Sequence, residues 1–220
     1  MADPKSFFLS KPVHEYLVAH GAPPDEVQQW LIEETLAKVP ALTMMQISPE
    51  QGAFMTLLAR LIQAKHAVEI GTFTGYSSLA IAYGLRSDGH LLCCDVSEEW
   101  TAIAREGWER AGMAERIELR IAPALETLQA LPKDALIDLA FIDADKQNYA
   151  AYYEELIVRM RTNGVILVDN VLWSGTVADP SVTDADTNAI RAFNDMVAAD
   201  TRVDASMIPL GDGLTLLRKR

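Results

Sequence analysis

The chain has 220 residues, 50% of them hydrophobic and 23% charged, which suffices for one domain with a full core. Its net charge of -12 argues against nucleic acid or an anionic membrane as a main partner, because both require a basic footprint. No apolar run reaches transmembrane length, and the opening "MADPKSFFLSKPVHEYL" turns polar too soon for a signal peptide.

Residues 10–39 read as two helices broken at "HGAPPDE", where Gly21, Pro23 and Pro24 stop the first and Asp25 caps the second. Val27, Trp30 and Leu31 give the second an apolar stripe for the core. "SPEQGAFMTLLARLIQA" predicts another helix, with Ser48 as cap, Pro49 at its first position and Gln51 completing a capping box. From Lys65 the pattern changes to short apolar runs: "HAVEI", "LLCCD", "RIELRI", "LIDLAFID", "GVILVDN", "ASMIPL" and "LTLLRK". Helical patterns fill roughly 75–86, 98–111, 124–131 and 147–161 between the first five. This alternation predicts an open, mainly parallel sheet with helices on both faces. "GDG" between the last two runs predicts a hairpin and an antiparallel edge. Cys93 and Cys94 are neighbours on a predicted strand and point to opposite faces, so they read as small core residues in a reducing cytoplasm. His14, His20, His66 and His90 show no zinc spacing.

The strand ends carry the chemistry. The first run ends in Glu69 and Gly71, the second in Asp95, the fourth in Asp143, the fifth in Asp169 and Asn170. In open α/β sheets the ligand lies outside the carboxyl ends of the strands, so these groups aim at one crevice. "VEIGTFTGYSS" opens a helix after the first strand but lacks the G-x-G-x-x-G that cradles a pyrophosphate. Glu69 beside that loop would repel an anion and tolerate a cation, while Asp95 suits the hydroxyls of a ribose. A ligand with a ribose, a positive charge and no phosphate is S-adenosylmethionine. A nicotinamide-dependent oxidoreductase fits less well, for want of that glycine pattern.

In "FIDADKQNY" and "VDNVLWSG", Asp143, Asp169 and Asn170 offer three oxygen donors without His or Cys. Such a set suits a hard cation such as Mg²⁺, or another divalent ion such as Mn²⁺ or Ca²⁺. Lys146 would stand at its edge as a base. A nearby dication favours the deprotonated forms of both an amine and a phenol. Alternatively, Asp143 and Asp145 cap the following helix and Lys146 is solvated.

"EIGTFTGYSSLA", "DADKQNY", "VDNVLWSG" and "GDGLTL" together resemble the cation-dependent class I S-adenosylmethionine O-methyltransferases, the group of catechol and caffeoyl-coenzyme A O-methyltransferases. The resemblance runs from about Met45 to the C-terminus and weakly through the N-terminal helices. It implies an α/β fold with a Rossmann-like seven-stranded, mostly parallel sheet, an antiparallel C-terminal hairpin and helices on both faces. Residues 1–220 would form a single methyltransferase domain, with the N-terminal helices 1–47 as an accessory segment, in a cytoplasmic homodimer. It implies cofactor contacts at Met45, Ile47, Glu69, Gly71, Ser77, Asp95, Ala124 and Asp143. Metal ligation falls to Asp143, Asp169 and Asn170, catalysis to Lys146, and substrate contact to Lys146, Asn170 and Trp173, although Trp173 could equally be core. Relatives acting on coenzyme A esters carry basic and aromatic residues where this chain reads "TDADTNAIRAF". If Asp184 and Asp186 face the pocket mouth they would repel a nucleotide phosphate, which makes a small catechol-type substrate the expectation. Coenzyme A esters of hydroxycinnamates are the alternative, and a tRNA-modifying methyltransferase is less favoured by the acidic balance. The segment from Val171 to about Thr187 is long enough for a lid.

Overall fold

The structure, a computed structural model, describes residues 9–134 and 136–220. The first eight residues of the expected accessory segment thus lie outside the described residues. The chain then runs α1 (Lys11–His20), α2 (Glu26–Lys38), α3 (Pro49–Leu61), β1 (His66–Ile70), α4 (Tyr76–Gly84), β2 (His90–Asp95), α5 (Glu98–Arg110) and β3 (Ile117–Ile121). There follow α6 (Ala124–Ala130), β4 (Ile137–Ile142), α7 (Tyr149–Ile157), β5 (Met160–Val168), α8 (Ala185–Ala199), β6 (Val203–Ile208) and β7 (Leu214–Lys219).

The strands form one seven-stranded sheet in the order β3-β2-β1-β4-β5-β7-β6. β1 to β5 pair in parallel, while β7 pairs antiparallel with both β5 and β6. β7 therefore inserts between β5 and β6, which leaves β6 as the edge. Alternate residues feed two cores: Cys93, Leu139 and Leu167 face one layer, Cys94, Ala140 and Val168 the other. The buried, free cysteines sit as their adjacency requires. The chain builds outward from β1 in one direction to β3, then restarts at β4 on the other side of β1. That reversal between β1 and β4 is the switch point where such sheets bind ligands.

Three local expectations change. Helix α7 stops at Ile157 and β5 begins at Met160, so the predicted helix to 161 is too long and the predicted strand start too late. Arg159 turns this corner: its guanidinium, 2% exposed, donates to the Glu155 and Leu131 carbonyls, and its own carbonyl accepts from Ile137 N–H. The Ser48 capping box is absent, because Ser48 makes no side-chain cap bond and Gln51 turns elsewhere. The segment after Val171, read as one long loop, holds a kinked 3-10 stretch, Trp173–Ala178.

Candidate active site

Gly71 and Gly75 shape the loop after β1, both with φ near +90° (87° and 89°). A Cβ on Gly71 would overlap the Asp143 carbonyl, so glycine lets the ends of β1 and β4 meet. A Cβ on Gly75 would lie 2.5 Å from Ala104 Cβ. Asp95 fixes the loop between them. Its Oδ2 accepts the N–H groups of Thr72 and Phe73, both at 2.9 Å, and its Oδ1 those of Val96 and Ser97 at 2.7 and 2.8 Å. The N-terminal segment locks onto the same loop: Thr35 Oγ1 donates to Thr74 Oγ1 at 2.8 Å, and Gln46 Nε2 bonds both hydroxyls.

A cleft of about 1130 Å³ opens at the switch point. Met45, Ile47, Gly71, Ser77, Asp95, Ala124, Asp143, Lys146, Asp169, Asn170 and Trp173 all line it. Glu69 lies instead beneath the floor, 0% exposed. Cys93 Sγ donates to its Oε2 at 3.4 Å, and its Oε1 has no partner. Burial pushes its carboxyl up to about 8, the Ser77 hydroxyl pulling the other way. Burial therefore favours the neutral form of Glu69 over the charged form that its place in the sequence suggests. Phe73 and Trp100 form an aromatic corner beside Asp95, edge to face with centroids 5.4 Å apart.

At the other end, oxygen donors converge on Lys146. Its Nζ donates to Asn170 Oδ1 and Tyr149 Oη at 2.6 Å each and to Asp143 Oδ1 at 3.1 Å. Tyr149 passes the bond on to the Asp169 carbonyl at 3.2 Å. The Trp173 ring centroid lies 5.4 Å from the ammonium, so Trp173 walls the cleft and is not core. Burial raises the Asp143 carboxyl, and Lys146 opposes the shift. Burial and then the Asp143 charge push Asp169 up to about 7. Phe73, Asn170, Trp173 and Ser174 all adopt the left-handed backbone conformation without being glycine, and all four line the cleft. Such strained non-glycine residues gather where a site dictates the backbone.

A divalent cation fits this donor set. The carboxylates of Asp143 and Asp169 crowd each other in a buried place, an electrostatic cost that a cation relieves. The Lys146 ammonium already bridges Asp143 and Asn170, which shows that their oxygens converge on a cationic group. Among the described residues no group of three His, Cys, Asp or Glu could hold a metal, so a cation here would draw on the Asn170 amide beside the two carboxylates.

Asp184 and Asp186 do not line the cleft. Asp184 caps α8, accepting from Thr187 N–H and Oγ1, and Asp186 accepts from Gln147 Nε2 at 3.3 Å. The expectation that they guard the mouth is overturned, because capping of α8 holds Asp184 and the Gln147 amide holds Asp186. Sequence reasoning also missed Gln51, Tyr149 and the Thr35–Thr74–Gln46 cluster. The available signal for Gln51 was the capping pattern, which pointed to a local role.

Residues 19–220 match the O-methyltransferase family, Methyltransf_3. The chain is 40% identical over 208 residues to a probable caffeoyl-CoA O-methyltransferase 2 of Dictyostelium discoideum, covering 93% of this chain and 90% of that one. It is 36% identical over 214 residues to the catechol O-methyltransferase domain-containing protein 1 of Mus musculus, covering 90% and 82%. Among solved structures, the O-methyltransferase of Bacillus cereus in complex with SAH superposes with a TM-score of 0.87 at 34% identity, covering 95% and 97% of the two chains. The sheet order, the glycine-shaped switch point and these matches agree: the chain belongs to the class I O-methyltransferase family.

Proposed function

We propose that the protein moves a methyl group from S-adenosylmethionine to one hydroxyl of a catechol-type small molecule with the help of a divalent cation. The observation that carries this reading is the meeting of the Lys146 ammonium with Asp143 Oδ1 and Asn170 Oδ1 on the cleft wall. The Bacillus cereus relative, solved with the demethylated cofactor, supports the cofactor assignment. Asp95 at the end of β2 would hold the ribose, and the Phe73–Trp100 corner in the same cleft would offer an aromatic surface to the adenine. S-adenosylmethionine supplies a methyl group on a sulfonium, whose C–S bond breaks as the C–O bond forms. Asp143, Asp169 and Asn170 would hold the cation, Mg²⁺ in the first place, which supplies Lewis acidity toward two vicinal oxygens.

Lys146, as the neutral amine that a neighbouring dication would favour, takes the proton from the attacking hydroxyl, and Tyr149 and Asn170 orient it for that transfer. Trp173 walls the aromatic ring so that the oxygen lines up with the methyl group. Cleft charge favours a compact substrate over a coenzyme A ester. Asp95, Asp143, Asp145, Asp169 and Asp212 line the cleft, while Lys146 is its sole cationic side chain among the described residues. Among the described residues, phosphates would find no free cation there.

The test is a methyl-transfer assay on catechol, phenol and a caffeoyl-coenzyme A ester. Lys146→Ala should lower kcat by roughly 10²–10⁴-fold, the usual worth of a positioned base, with cofactor binding nearly unchanged. Raised pH should partly rescue it. Equal rates on catechol and phenol, or full activity in excess EDTA, would rule the mechanism out.

A further inference from the structure

Gln51 is enclosed in the protein, 1% exposed, and its Nε2 donates to Asp169 Oδ2 at 2.7 Å across 118 residues of sequence. The start of α3 forgoes local bonding for this contact. "SPEQ" has the composition of a capping box, yet the buried Ser48 Oγ has no partner. Such a box is within reach of this chain, since Asp25 and Gln28 complete one at the start of α2. A local rule broken without local compensation points to a functional demand.

The geometry suits that demand. Asp169 Oδ1 accepts from Asn170 N–H at 2.7 Å and Oδ2 from Gln51, so both oxygens are oriented and each keeps a free lone pair. A Cβ on Gly211 would lie 2.5 Å from Gln51 Oε1, so the amide oxygen is directed to the hairpin turn and the N–H to the carboxylate. Gln51 is neutral and adds no charge to a crowded anionic pair. We propose that Gln51 is a positioning residue for the cation site: it holds the Asp169 carboxylate in its ligating orientation and so sets cation affinity. This rests on the proposed role of Asp169 as a cation ligand.

The probe is Mn²⁺, followed through the paramagnetic resonance signal of the free ion as it is titrated into the full chain. Gln51→Met keeps the length and removes the donor, whereas Gln51→Asn keeps the amide and withdraws it from Asp169. Both should weaken Mn²⁺ binding by about 10–100-fold, the usual effect of removing an outer-sphere partner. The Kd for S-adenosylhomocysteine, measured by calorimetry, should stay unchanged, and kcat should return at saturating Mn²⁺. Circular dichroism identifies a variant that fails to fold, in which case the other carries the test. Wild-type Mn²⁺ affinity in either folded variant overturns the proposal, as does a parallel loss of S-adenosylhomocysteine binding, which would mark collapse of α3. Absence of Mn²⁺ uptake by the wild type would instead remove the cation reading itself, and Gln51's role with it.

Discussion

Glu69 shows how one side chain can carry a measurable cost. It stands opposite Cys93 and Phe141 in the sheet register, fully enclosed, with one carboxylate oxygen unpartnered. An ordinary glutamate titrates near 4.3; burial raises this one to about 8. Between those values the folded state binds more protons than the unfolded state, so this residue's contribution to stability falls as pH rises through that window. It changes no further above about 8. Glu69→Gln removes the charge and keeps the shape. The variant's advantage over wild type in urea midpoint should therefore grow from pH 5 to pH 9. A difference that stays flat across that range would show that Glu69 keeps an ordinary pKa in the folded protein.

At the scale of elements, the segment between Val171 and α8 brings Trp173 and Ser174 to the cleft wall. It is pinned from both sides. Val171 and Leu172 N–H groups bond the Gly213 and Asp212 carbonyls, and Ser174 N–H bonds Asp212 Oδ1 at 2.7 Å. Arg191 on α8 gathers the carbonyls of Thr176, Val177, Asp179 and Val182. One guanidinium thereby closes a turn that has little apolar packing of its own. Replacing Arg191 with Met should lower stability by about 1.5–3 kcal/mol, the range for hydrogen bonds to a charged group. Because Trp173 and Ser174 line the cleft, the same variant should raise the substrate KM while leaving cofactor affinity intact. An unaltered KM would show that this segment does not shape the substrate end of the cleft.

At the scale of the whole molecule, the proposed cofactor end of the cleft is lined from β1, β2, the loop before α6 and the N-terminal segment, so a ligand there would tie distant parts of the chain together. Ligand present at about 100 times its Kd stabilises the native state by about 2.7 kcal/mol. For a chain of this length that corresponds to a rise in Tm of roughly 5–11 °C. S-adenosylhomocysteine should produce that shift in EDTA as well as in Mg²⁺, since its proposed contacts other than Asp143 are not among the proposed cation ligands. A calorimetric scan showing a shift only with Mg²⁺ would mean that the two ends are assembled together.

The sequence by itself determined the α/β class, the hairpin, the opposed burial of Cys93 and Cys94, and the acids at the strand ends. Those features follow from periods of two and 3.6 and from turn residues, all of which are local. It also marked the polar residues of the cleft, because a strand that stops at an acid stops at the sheet's ligand-binding edge. Tertiary structure alone decided where Gln51 and Glu69 point. Asp184 follows the local rule and caps α8 three residues on, whereas the packing of α3 beside Asp169 draws Gln51 away from its helix start into a long-range bond. Glu69 faces into the sheet layer because its register with Cys93 is fixed by β2. The insertion of β7 between β5 and β6 and the corner at Arg159 are equally nonlocal. They depend on partners dozens of residues away, which no local pattern records.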